Sequence, residues 1–125
     1  MTSIAGSSAW FERGYVTYSN AAKRELLGVS GKTLAKHGAV SEQTALEMAR
    51  GALKRSRASV AVAVTGVAGP SGGSAAKPVG TVCFAWGTRK NLRSETRRFR
   101  GDRTSVRRQS VVAALEGVLD LLAGG

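Results

Sequence analysis

The chain has 125 residues, 42% hydrophobic and 22% charged, with 16 Gly, 2 Pro and a single Cys, the make-up of one soluble globular domain. A chain of this length buries roughly two-thirds of its unfolded surface and needs no staple; one cysteine, with no Cys or His pair at ligand spacing, excludes an intrachain disulfide and structural zinc. Nineteen Lys and Arg against eight Asp and Glu give a net charge of +11, which favours anionic partners without naming one.

In chain order, Arg13 to Tyr18 reads R-G-Y-V-T-Y, rich in β-branched and aromatic types, and predicts a strand. Ser19 and Asn20 then cap a short helix over Ala21 to Leu27, ended by Gly28. Ser30 to Gly38 reads as a connector with room for one helical turn near His37. Ser41 caps a clearer helix, in which Ala45, Met48, Ala49, Ala52 and Leu53 recur at three- and four-residue spacing while acids precede bases; it is expected to reach about Arg57. Ala58 to Thr65 is apolar or small on both faces and predicts a strand covered on each side. A Gly-rich loop, Gly66 to Ala76, leads to a second buried strand, Val79 to Trp86. Gly87 to Asn91 then makes a hairpin-like connection to a polar edge strand, Glu95 to Phe99. Asp102 caps a last helix carrying Val106, Ala113, Ala114, Leu121 and Leu122, closed by Gly124 and Gly125. This order predicts an α/β fold, a single three-layer α/β/α domain with a mixed sheet, in which sites gather where strands run out into loops.

Two such exits hold the residues with chemistry. In T-G-V-A-G-P-S-G-G, Thr65 to Gly73, Gly66, Gly69, Gly72 and Gly73 let backbone amides approach a phosphate. The spacing is neither that of a P-loop nor that of a dinucleotide fingerprint, and a plain turn accounts for it as well. Lys23 stands in the first turn of a helix, where the macrodipole disfavours its charge by about 0.3–1 kcal/mol, and burial would lower its pKa further. A neutral amine accepts a proton, although a solvated surface lysine is the commoner reading of the residues alone. Tyr18 ends the preceding strand and is placed either to hold or relay a proton or to pack. His37 has no Ser or Cys partner and reads as a connector residue, Cys83 as a small buried hydrophobe. The basic run from Arg89 to Arg108 offers Phe99 as its one stacking aromatic and no recognised nucleic-acid motif, so a solvated basic face is favoured over specific nucleic-acid binding. No apolar run nears the roughly 18 residues that span a bilayer, and Met1 to Gly14 lacks the character of a signal peptide, which predicts a cytoplasmic protein without a membrane partner.

Six blocks in one order, I-A-G-S-S-A-W-F-E-R-G (Ile4 to Gly14), V-T-Y-S-N-A-A-K (Val16 to Lys23), H-G-A-V-S-E (His37 to Glu42), T-G-V-A-G-P-S-G-G, K-P-V-G-T-V (Lys77 to Val82) and G-D-R-T-S-V-R-R-Q (Gly101 to Gln109), resemble the CinA C-terminal domain family over nearly the whole chain. The chain is similar in particular to single-domain members that deamidate nicotinamide mononucleotide. The resemblance implies hydrolysis of that carboxamide to nicotinic acid mononucleotide and ammonia, in pyridine nucleotide recycling, by a serine activated by a lysine; here that lysine is Lys23. It implies Tyr18 beside it. Ser19, Asn20, Thr65, Gly66, Gly69, Gly72 and Gly73 become candidates for holding substrate or oxyanion, with Lys77, Arg103 and Arg107 to balance phosphate charge. No metal or redox cofactor is implied, and a homo-oligomer is expected.

The family's nucleophile lies in an E-S-C-T-G-G block, between an initial strand and a helix, and these 125 residues contain no such block. Ser3, Ser7 and Ser8 match a different block. The expectations are therefore an N-terminally incomplete nicotinamide-nucleotide amidohydrolase, inactive as this chain stands, or alternatively a non-catalytic relative that binds nucleotide or a protein partner. A basic nucleic-acid-binding domain trails both.

Overall fold

The most apolar segment of the chain is the centre of the sheet. In the computed structural model, which describes Met1, Ser3 and residues 5–124, strand β2 (Thr81–Gly87) is buried at every position. It pairs antiparallel with β1 (Ala61–Gly66) on one side and with β3 (Leu92–Arg98) on the other. Ile4, which opens the first of the six blocks, and the closing Gly125 lie outside the described residues.

Side chains alternate across β2 and so divide the core in two. Cys83 and Ala85 join Ala63 of β1 under α1 (Asn20–Leu27) and α3 (Glu42–Lys54), with Leu27, Ala45, Met48 and Ala49. Val82, Phe84 and Trp86 face α4 (Arg103–Leu122) through Val106, Ala113 and Ala114. Phe84 and Trp86 stack at 5.2 Å, and the Trp86 Nε1–H donates to the Ala114 carbonyl at 2.9 Å, so the indole is buried without an orphaned donor. Helices on both faces of a sheet make the expected three-layer α/β/α domain.

The caps fall where the residues predict them. Ser19, Ser41 and Asp102 each accept a hydrogen bond from the amide three residues on, in Ala22, Thr44 and Ser105, and Gly28 closes α1 in the left-handed region at φ 69°. Ser30 also caps a full helix, α2 (Gly31–His37), in the segment expected to be mainly connector.

Five expectations need correction. Arg13 to Tyr18 forms no strand, because no described residue pairs with its backbone; its groups go instead to Arg55, whose carbonyl accepts from Arg13 Nη1 at 3.2 Å and from the Tyr15 hydroxyl at 3.1 Å. The helix expected to reach Arg57 stops at Lys54, with Arg55 as its C-cap. The three described strands pair antiparallel throughout, where a mixed sheet was expected. The strand expected to be covered on both faces meets α3 on one and α4 on the other, but its cover on the α4 side is partial at Val64, which is 40% exposed. The polar edge strand is longer than expected, starting at Leu92. No helix among the described residues is long and apolar enough to cross a membrane.

Candidate functional site

The N-terminal turn of α1 is built by Ser19, whose hydroxyl accepts from the Ala22 amide at 3.0 Å while its own backbone stays extended. That geometry leaves Asn20 exposed as the first helical residue and turns Lys23 inward. Lys23 is 5% exposed. Its Nζ donates to the Thr17 carbonyl at 2.9 Å, and the ion pairs among the described residues, Arg13 with Glu12 and Arg97 with Glu95, do not include it. Burial pushes the Lys23 amine below its usual 10.5, since a buried ammonium without a carboxylate loses its hydration for little return. The neutral form keeps a hydrogen bond to Thr17 and has a lone pair to spare.

Thr17 is the residue that sequence reasoning missed. It contributes a carbonyl, and no side-chain pattern reports where a carbonyl points. Tyr18, by contrast, is 88% exposed and makes no hydrogen bond to Lys23. The two neighbours point opposite ways, as successive residues of an extended chain do.

At the second exit, β1 ends at Gly66 and the chain turns through Gly69, Gly72 and Gly73, with φ of 87°, 90° and 83°. These angles are open to glycine and costly for other residues. Among the described residues, the amides of these three glycines donate to no protein acceptor. The side chains nearby are more committed. Thr65 Oγ1 donates to the Ala39 carbonyl at 2.8 Å, Arg103 Nη1 to the Gly69 carbonyl at 2.9 Å, and Lys77 Nζ to the His37 carbonyl. Each thus braces the loop or ties it to the neighbouring helices. Arg107, one turn after Arg103 on α4, flanks a shallow groove with Val64, Gly66, Val82 and Val111. No hydrogen bond among the described residues joins Lys23 to the Gly-rich loop.

Cys83 sits against Thr96 with its thiol pushed up by burial, which makes it a poor nucleophile and a packing residue. Glu42, at the start of α3, is tied to β3 by the hydroxyls of Thr96 and Ser94, at 2.6 and 2.7 Å, and these hold its carboxyl below the usual range.

Residues 1–122 match the CinA C-terminal domain. The chain belongs to that family. It is 58% identical to the nicotinamide-nucleotide amidohydrolase PncC of Pseudomonas putida over 97% of this chain and 76% of the relative. The protein of the same name from Escherichia coli K12 is 59% identical over 93% of this chain and 71% of its own length. Among solved structures, the competence/damage inducible protein CihA of Agrobacterium tumefaciens superposes with a TM-score of 0.92 at 56% identity, over 94% of this chain and 73% of that one. This CinA-family chain thus shares its α/β fold with the superfamily's crystal structures, and the two relatives above are named nicotinamide-nucleotide amidohydrolases.

Proposed function

We propose that this chain carries the general base and part of the nucleotide-binding surface of a nicotinamide-nucleotide amidohydrolase, whose substrate is nicotinamide mononucleotide. The observation that carries this reading is Lys23, a buried amine held by a carbonyl with no acid among the described residues paired to it. An amide is a poor electrophile, so the attacking oxygen must lose its proton as it attacks. In the proposed reaction a serine hydroxyl adds to the carboxamide carbon while Lys23 takes its proton, and the carbonyl electrons move to oxygen. Backbone amides suit that oxyanion or the ribose phosphate; those of Gly69, Gly72 and Gly73 are unspent. Collapse re-forms the carbonyl and breaks the C–N bond as Lys23 returns the proton to the departing nitrogen, which leaves as ammonia. Water, deprotonated by the same amine, releases nicotinic acid mononucleotide and regenerates the serine.

In this reading Ser19 and Asn20 border the site, Thr65, Lys77 and Arg103 hold the loop in shape, and Arg107 is free to meet phosphate charge. Tyr18 serves the substrate side, since its hydroxyl points outward. The second reading, a silent relative that keeps a nucleotide or partner site, needs only the unspent amides of the Gly-rich loop and no E-S-C-T-G-G block.

Ammonia release and calorimetric binding, measured on one preparation, separate the two. The 125-residue chain is expected to bind nicotinamide mononucleotide and release no ammonia. Joined to a strand-and-helix segment bearing that block, it is expected to turn over, at a rate that rises with pH through the lowered Lys23 pKa, below 10.5. In that form Lys23→Arg should cut turnover by about a thousandfold while affinity stays within about tenfold, because a guanidinium keeps the charge and cannot deprotonate. An active Lys23→Arg variant would remove the base assignment. Turnover by the 125 residues alone would remove the nucleophile assignment, and a joined form that binds without turnover would establish the second reading.

A further inference from the structure

Lys23 and the carbonyl that holds it are six residues apart, yet each stands on a segment that needs support from elsewhere. Thr17 lies in the extended stretch with no strand partner among the described residues. Lys23 lies in α1, eight residues long and so short of what stands alone in water. The 2.9 Å bond between them therefore depends on what fixes both segments. Both are tied to one residue. Arg55, the C-cap of α3, accepts at its backbone carbonyl from Arg13 Nη1 at 3.2 Å and from the Tyr15 hydroxyl at 3.1 Å, on the stretch that leads to Thr17. Its side chain goes to α1, where Nη1 donates at 3.3 Å to the carbonyl of Leu27, the last residue of that helix.

The guanidinium also fills the space beside the α1 C-cap, since a Cβ on Gly28 would lie 2.5 Å from Arg55 Nη2. A cation there meets the negative end of the helix dipole. The end of α3 gives Arg55 firm ground in turn. Arg89, from the turn between β2 and β3, donates to the carbonyls of Leu53, Ser56 and Ala58, so the backbone on both sides of Arg55 is held from the sheet. We infer that Arg55 is a positioning residue of the candidate site, a clamp that keeps α1 and the Thr17 stretch at the separation the Lys23–Thr17 bond requires. Its meaning for catalysis rests on the reading of Lys23 as the base; the clamp itself does not. With either side cut, water reaches the amine and its charged form regains hydration. Among the described residues no charged group adds to the burial that lowers the Lys23 pKa, so the titration of Lys23 reports how well it is enclosed.

NMR of the 125-residue chain, isotope-labelled at its lysine side chains, gives that titration, with the Lys23 signal identified by its loss in Lys23→Arg. Arg55→Met removes the guanidinium and keeps most of the stem; it should move the Lys23 pKa up toward 10.5, cutting the neutral fraction at a fixed lower pH by about threefold or more. Tyr15→Phe removes one of the two bonds to the Arg55 carbonyl and should move it the same way by less. Arg55→Lys still offers a donor for the single Leu27 bond and should keep the neutral fraction within about twofold of the original. Gly117→Ala, on the opposite face of the sheet, is the control for lost stability and should leave the Lys23 titration in place. Joined to the segment bearing the nucleophile, Arg55→Met should lower kcat at neutral pH and leave KM within about twofold, with the pH–rate limb moving up as the titration does. An unshifted Lys23 in Arg55→Met would overturn the inference, as would an equal shift in Gly117→Ala or no recovery in Arg55→Lys; should Arg55→Met fail to fold, Tyr15→Phe decides in its place. The titration needs neither substrate nor nucleophile, so its failure is distinct from failure of the base assignment, which the turnover of Lys23→Arg decides.

Discussion

Helices α3 and α4 lie on opposite faces of one sheet and solve different problems. The first touches all three strands and both short helices; it presents Gln43, Arg50 and Lys54 to solvent and has an acid in its first turn and a base in its last. The second rests on β1 and β2, keeps a leucine stripe outward and has its charges in the reverse order. Each also carries a glycine where its neighbour comes closest. In α3 a Cβ on Gly51 would lie 1.8 Å from the Leu27 carbonyl oxygen, backbone of α1. In α4 a Cβ on Gly117 would lie 2.1 Å from the Trp86 ring. One helix is locked between layers, and the other leans on a side chain with open space behind it. A helix in the first setting cannot move without its neighbours; one in the second can.

The largest effect is therefore expected at Gly51→Ala, which should cost about 3 kcal/mol or more, since α1 and the Lys23 turn must shift with it. Urea denaturation checks this, and a near-neutral result would mean that α1 is not held against α3 in solution. Gly117→Ala meets a similar clash but should cost only about 1–2 kcal/mol, because α4 can tilt outward and alanine returns about 1 kcal/mol of helix propensity. The near-ultraviolet signal of Trp86 should change with it. A loss equal to that of Gly51→Ala would show α4 to be as tightly held as α3.

The smallest effects are expected at the caps. Ser41 is buried, and its hydroxyl both accepts from Thr44 and donates to the Gly38 carbonyl at 3.0 Å; Ser41→Ala should cost about 1–2 kcal/mol. Asp102 is exposed and accepts one bond, from the Ser105 amide at 2.8 Å, so Asp102→Ala should cost about 0.5–1 kcal/mol. Thermal unfolding of the pair gives the order, and a reversal would contradict the firmer seating assigned to α3.

Much of this was legible before any coordinates. The apolar period of Ala45, Met48, Ala49 and Leu53 and the acid-to-base order belong to α3 as observed, and the three capping residues act where their types suggest. Such features depend on neighbours within a turn. Arg13 to Tyr18 shows the limit: β-branched and aromatic residues favour a strand only where a second strand offers its backbone, and no described residue does so there. At the candidate site the six blocks singled out Lys23, yet the spacing of α1 alone was better matched by a surface lysine.

The sequence by itself determined the order of elements from α3 onward, the helix caps and membership of the CinA family, because each is written in residue types at short separation. Only the tertiary structure decided that Lys23 is buried against the Thr17 carbonyl with no described acid paired to it, and that α4 keeps an apolar side uncovered. Both depend on what distant segments bring to a residue, and desolvation is a property of those surroundings, which a local pattern does not record.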